Sequence, residues 1–340
     1  MKPLKNKDYI KGSLFGMAIG DGFGYPTEFL SISEIVEKWP PTGPDKPEGN
    51  PILVTDDTQM AIAVAKALME SENQGFSPSL LEQKLTKYYI QWLNDPKNNR
   101  APGMTCIRAC ERLEKGLAWE KSAELNSKGC GANMRVVPVG LLSQKGLSEN
   151  KIGAIAQFQS ALTHAHPTAL AASEITAITI AKLINGVRHQ DLLSELLNYS
   201  EKQKKIYHRN YLKEIWDRPP FRTPEEYITL GWEQVIDVLL KVKEGLRKNE
   251  TKTNPCLISG EGWIAEEAFA TALLCFLLFP QSPTKVLKRA VVTSGDSDSI
   301  ACLAGAFSGA YCGLESFPID WVNRVEYKKD LESIAAFYKQ

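Results

Sequence analysis

The feature that most limits what this chain can fold into is the spacing of its apolar side chains. They recur at helical intervals in segment after segment, and strand signals are weak throughout. Ile10, Leu14, Phe15, Ala18 and Ile19 share one helical face, and Met60, Ile62, Ala63, Val64, Ala67 and Leu68 share another. The same periodicity predicts helices near 79–93, 105–113, 153–162, 169–184, 227–246, 264–279, 283–293 and 299–312. Small residues over 20–26 predict that the first helix delivers a loop there. The expected fold class is all-α, a compact multi-helix fold around an apolar centre. No stretch of the 340 residues reads as a linker between two cores, so a single domain spanning 1–340 is expected. Pro219, Pro220 and the polar run 247–254 mark a helical insertion around 200–260.

Charge narrows the partners. The 40 Lys and Arg residues balance 40 Asp and Glu, so there is no global field to draw the chain to nucleic acid or to an anionic membrane, and any phosphate binding must be local. An odd number of cysteines, 7, several of them within apolar helical patterns, points to a reducing cytoplasm. The start has no continuous apolar region before Gly12, and the apolar run 268–279 is too short to span a bilayer. A cytoplasmic protein with no membrane partner is expected.

Three clusters carry the chemistry: Gly-Asp-Gly-Phe-Gly-Tyr-Pro-Thr-Glu at 20–28, Thr-Asp-Asp-Thr at 55–58, and Gly-Asp-Ser-Asp-Ser at 295–299. Each falls at a loop-to-helix junction, where Asp, Ser and Thr serve as caps in any protein. A cap needs one carboxylate, however, and the second and third clusters supply two each. Carboxylates held that close repel one another unless a cation lies between them. All-oxygen donors of this kind suit magnesium, manganese or calcium, and no Cys or His pair stands at zinc-ligand spacing. Two such clusters can hold two ions, a binuclear site at helix N-termini. The run Lys-Gly-Cys-Gly-Ala-Asn-Met-Arg at 128–135 offers a glycine turn whose amides could meet phosphate oxygens. Thr-His-Ala-His-Pro at 163–167 concentrates two of the 4 histidines, and Arg-Ala-Pro-Gly-Met-Thr at 100–105 is a turn before a helix. Cys130 has no basic neighbour but Lys128 and reads as a packing thiol, not a nucleophile.

Taken in order, these motifs resemble those of the ADP-ribosylglycohydrolase family, which includes the dinitrogenase reductase-activating glycohydrolase. The match runs from about Lys11 to about Gly313. The resemblance implies a binuclear magnesium site, with manganese as an alternative, at the base of a cleft that holds the distal ribose of ADP-ribose. It implies metal ligation by Thr55, Asp56 and Asp57 from one side and by Asp296, Asp298 and Ser299 from the other. Glu28 would be the catalytic carboxylate, with Asp56, Asp57 and Asp296 also required for turnover, and Asp21 would hold loop backbone. Gly103, Met104, Thr105, Gly129, Cys130, Gly131, Ala132, Asn133, His164 and His166 would line the ADP-ribose cleft. Two positions depart from the family: Ala101 stands where the arginine-directed branch commonly has aspartate, and Lys128 and Cys130 stand where the glycine motif often has serine and asparagine.

The expected reaction is hydrolysis of the N- or O-glycosidic bond at the anomeric carbon of an ADP-ribosylated protein or other target, releasing ADP-ribose through a cation-like ribosyl centre. The same ligand set also suits a two-metal phosphoesterase acting on a nucleotide diphosphate. A non-catalytic or toxin-neutralising relative that only binds ADP-ribose is a further alternative.

Overall fold

The computed structural model describes residues 7–340. Among them are 18 α-helices and no strand, and extended pairing is confined to isolated bridges joining Ile52 to Val325, Glu124 to His164, and Gly129 to Ile264. Six helices position the site: α1 (Tyr9–Gly24), α2 (Asp56–Met69), α3 (Pro167–Ile184), α4 (Pro224–Arg247), α5 (Ala265–Leu278) and α6 (Ser297–Cys312).

α3 is the centre of the molecule. It is apolar nearly all round, with every residue from Pro167 to Ala181 buried, because α4, α5, α6 and the Glu149–Ala161 helix surround it. A helix that is hydrophobic on all faces belongs in a core, and this one, long and apolar enough to cross a membrane by length and composition, has 89% of its residues buried inside the fold. α4 presses one face on α3, burying Tyr227, Trp232, Val235 and Leu239, and Gly231 lets its backbone approach the Pro167 carbonyl.

α1 and α6 pack antiparallel in a four-residue register. Gly12 meets Gly309, Gly16 meets Gly305, Gly20 meets Ala301, and Gly24 meets Ser297, backbone against backbone, so that a Cβ added to any of these glycines would overlap a main-chain carbonyl of the partner helix. This corrects the loop expected over 20–26. The helix runs on to Gly24 and only then passes into the 3-10 turn Tyr25–Thr27. Its glycines serve close helix approach, which outweighs their cost of about 1 kcal/mol each in a helix interior.

Elsewhere the predicted and observed helices agree closely: 79–93 is Pro78–Leu93, 105–113 is Met104–Glu114, and 283–293 is Pro283–Val291. Unforeseen among the longer helices are Ile32–Lys38, His189–Gln203 and Lys328–Phe337; the second buries only a thin apolar stripe, Leu192, Leu196 and Tyr199, on an otherwise polar helix.

Candidate active site

The acidic clusters converge because the helices that carry them start at the same place. α2 begins on the cap Thr55, whose hydroxyl accepts from the Asp57 amide at 3.4 Å. Asp21, fully buried in α1, gathers that start. Its carboxylate accepts from the Thr55 amide (3.0 Å) and hydroxyl (2.9 Å) and from the Thr58 amide (3.1 Å) and hydroxyl (2.5 Å). Burial pushes Asp21 up to about 6, against the lowering effect of those hydrogen bonds. Asp21 is thus a structural bracket between α1 and α2.

α6 begins on Asp296, whose Oδ1 accepts from the Ser299 amide at 3.2 Å. The turn after α1 is stitched to it: the Thr27 hydroxyl donates to Ser297 Oγ (2.9 Å), and Ser297 Oγ donates to the Gly24 carbonyl (3.0 Å). Glu28 follows directly and is delivered beside α6. Oxygens of Glu28, Asp296 and Asp298 lie within 4.8 Å of one another, close enough to share a cation.

These side chains floor a cleft of about 330 Å³ whose wall also includes Asp56, Asp57, Gly103, Met104, Thr105, Gly129, Cys130, Gly131, His164 and Ser299. Among the described residues, no lysine or arginine lines it. The carboxylates are therefore uncompensated. Burial, then the charges of Asp296 and Asp56, push Glu28 up to about 8; burial pushes Asp56 up to about 7; burial and then neighbouring carboxylates raise Asp57 (Asp21, Asp56 and Asp296) and Asp298 (Asp296, Asp57 and Glu28) well above the usual carboxylate range. Buried Asp57 Oδ2 and Glu28 Oε2 have no hydrogen-bond partner among the described residues. Orphaned buried carboxylate oxygens gathered in one place suit a hard divalent cation.

The sign of the pH effect follows. These carboxyl groups hold more protons folded than unfolded, so their contribution to the stability of the metal-free protein is lost as pH rises through about 6 to about 8. The melting temperature of chelated protein is expected to fall across that window, and the rise on adding magnesium or manganese is expected to be larger at the upper end than at the lower. Thermal denaturation with and without chelator at both ends checks this.

Four expected site residues fall outside the cleft wall. Thr55 lies behind it, with its hydroxyl hydrogen committed to Asp21. Asn133 is fully buried, donating to the Ala265 carbonyl at 2.9 Å and to Thr176 at 3.3 Å. The Ala132 carbonyl accepts from Gln159 and Ser173, and His166 is the cap of α3, accepting from the Thr168 amide at 3.2 Å. The expected cradle of free amides is corrected in part: the Gly103 amide donates to Asp56 Oδ2 (3.1 Å), that of Cys130 to the Trp263 carbonyl (3.1 Å), and those of Ala132 and Asn133 to carbonyls of their own turn.

The glycines of that turn instead admit His164. A Cβ at Gly131 would lie 2.9 Å from the imidazole, and one at Gly129 3.3 Å from Nε2. Burial, then Arg135, hold His164 well below its usual pKa, so the ring is neutral. Thr163 Oγ1 accepts from Arg135 (2.7 Å) and lies 2.8 Å from His164 Nδ1, a contact that sets the orientation of the ring in the cleft wall.

Arg135 itself is wholly buried, held by Gln159 Oε1 and the Gln159 carbonyl at 2.8 Å each and lying 4.6 Å over the Tyr89 ring, with no carboxylate among the described residues paired to it. Arg135→Met would leave Thr163 Oγ1 without its guanidinium donor and Gln159 with only the Tyr89 hydroxyl. It is expected to cost about 3 kcal/mol or more in denaturant unfolding, since removing one member of a buried charged network strands the others.

Sequence reasoning missed the rim. Phe29 and Trp263 stack across the cleft mouth at 5.4 Å with planes 17° apart, and Phe29 is 68% exposed on a left-handed backbone (φ 64°). The available signal was Trp263 following Gly260 and Gly262 in a loop ahead of an apolar helix, a place where a large aromatic has no packing role.

A family model described as ADP-ribosylglycohydrolase matches residues 2–340. The chain is 27% identical to ADP-ribosylhydrolase ARH3 of Xenopus tropicalis, over 95% of this chain and 92% of that one. It is 24% identical to ADP-ribosylarginine hydrolase Tri1 of Serratia proteamaculans, over 96% and 78% of the two chains. A solved structure described as an ADP-ribosylglycohydrolase-related protein complex shares the fold, with a TM-score of 0.66 at 22% identity, over 98% of this chain and 97% of that one. The resemblance read from the motifs is borne out across the whole length: the chain belongs to the ADP-ribosylglycohydrolase family and is a glycosidic-bond hydrolase.

Proposed function

We propose that this chain removes ADP-ribose from an ADP-ribosylated protein by hydrolysing the N- or O-glycosidic bond at the anomeric carbon of the distal ribose, using divalent cations held on the cleft floor. One observation carries the proposal: buried and half-buried carboxylates from three separate segments converge on a cleft with no lysine or arginine in its wall among the described residues. Asp56 and Asp57 would hold magnesium or manganese from one side, Asp296, Asp298 and Ser299 from the other. Bound there, the cations would supply positive charge to the ribose hydroxyls and to water.

The chain's own groups account for the rest. Hydrolysis forms a bond from water oxygen to the anomeric carbon, breaks the bond to the leaving nitrogen or oxygen, and moves one proton from water toward the leaving group. Glu28, with an unpartnered Oε2 at the edge of the acidic trio, would take that proton once the charge of the cations holds it ionised. His164, neutral because it is buried, can meet the substrate through its ring without repelling a cation. Phe29 and Trp263 offer flat apolar faces that shield the reacting centre from bulk water.

The linkage is tested with arginine-linked, serine-linked, nucleic-acid-linked and O-acetyl-ADP-ribose substrates, scoring free ADP-ribose against AMP. ADP-ribose release from at least one substrate is expected. AMP as the product would instead support phosphoester chemistry, and tight ADP-ribose binding without release would mark a non-catalytic relative.

A further inference from the structure

We propose that Cys130 gives the acidic cleft a second metal specificity, so that it captures a thiophilic divalent cation such as cadmium or zinc through Sγ and Asp296 together. The inference rests on the reading of this cleft as a divalent-cation site. Cys130 Sγ donates to Asp296 Oδ2 at 2.8 Å, so the thiol proton lies against an oxygen proposed to hold the metal. The sulfur shares the cleft wall with Asp57, which is 2% exposed and whose Oδ2 has no partner among the described residues. Asp298 and Glu28 place further oxygens within 4.8 Å of the same aspartate.

Hard cations prefer the carboxylates alone, whereas a soft cation gains from thiolate as well. On capture, the Sγ–H bond breaks, an Sγ–metal bond forms and the proton leaves to water, with no change of oxidation state. Cys106 lines the same cleft but differs: its sulfur accepts from the Arg135 guanidinium at 3.5 Å, a fixed positive charge that opposes a metal there. A soft cation bound through Asp296 occupies a carboxylate that the reaction needs, and so competes with magnesium.

The test titrates metal-free protein with cadmium, following the ultraviolet charge-transfer absorption that a cadmium–thiolate bond gives, and follows manganese separately by its effect on melting temperature. The parent is expected to show the band and to lose it under saturating manganese. Cys130→Ser is expected to lack the band and to bind cadmium at least about ten-fold more weakly, while keeping the manganese-induced rise in melting temperature. Cys106→Ala is expected to keep the band. An undiminished band in Cys130→Ser, or a parent band untouched by saturating manganese, overturns the inference; the second readout needs no variant to fold. A parent that takes up manganese but shows no band overturns the inference alone. A parent that takes up neither cation overturns the metal site with it.

Discussion

Asp57→Asn is expected to slow ADP-ribose release by roughly 10²–10³-fold, the scale of losing one preorganised electrostatic group, while raising the melting temperature of the metal-free protein. The two effects have opposite signs for one reason. Asp57 is buried among Asp21, Asp56 and Asp296, whose charges add to the effect of burial in raising its pKa, and Oδ2 has no partner. Without a cation that arrangement opposes folding, and a neutral amide of the same shape relieves it. With cations the same carboxylate binds them, and the amide cannot match it. Sites that carry uncompensated charge for function are places where stability can be gained only by losing activity. Initial rates in manganese, together with thermal melts in chelator, measure both. A variant less stable and less active together would make Asp57 an ordinary structural residue.

Gly305→Ala is expected to destabilise the protein by more than about 4 kcal/mol, enough to leave little folded material. The added methyl would overlap the Gly16 carbonyl, and both partners are main chain, so no flexible side chain can give way. α1 and α6 would have to separate. Because Glu28 follows α1 while Asp296 and Asp298 start α6, any surviving protein would also hold the acidic trio apart and lose activity. Gly16→Ala should cost as much, and the double variant should cost much less than the sum, since both act on one contact. Gly186→Asn is the control: its φ of 89° suits glycine, but no atom lies within 4 Å of the new Cβ, so a change of about 1 kcal/mol is expected. Denaturant unfolding of the four proteins checks this.

These two predictions divide what was legible in the sequence from what was not. The helices could be read because burying an apolar stripe imposes a periodicity, as at Pro78–Leu93 and Pro167–Ile184. The acidic pairs could be read because one cap never needs two carboxylates. The extent of α1 could not: a run of glycine ordinarily means a turn, and only the partner helix, with small residues at 297, 301, 305 and 309, shows that the run is an interface. The four-residue spacing of small residues on both segments was the available signal. Several cleft amides were misassigned because spacing reveals which groups exist and not which are already bonded, as those of Gly103 and Cys130 are. The rim pair Phe29 and Trp263 comes from distant segments, beyond the reach of local pattern.

The most direct test of the central claim is the rate of ADP-ribose release by the purified chain before and after chelation. The account predicts that release stops in EDTA and returns on adding back magnesium or manganese in the parent but not in Asp57→Asn. Undiminished release in excess chelator would contradict it, because the converging carboxylates would then have no cation to hold.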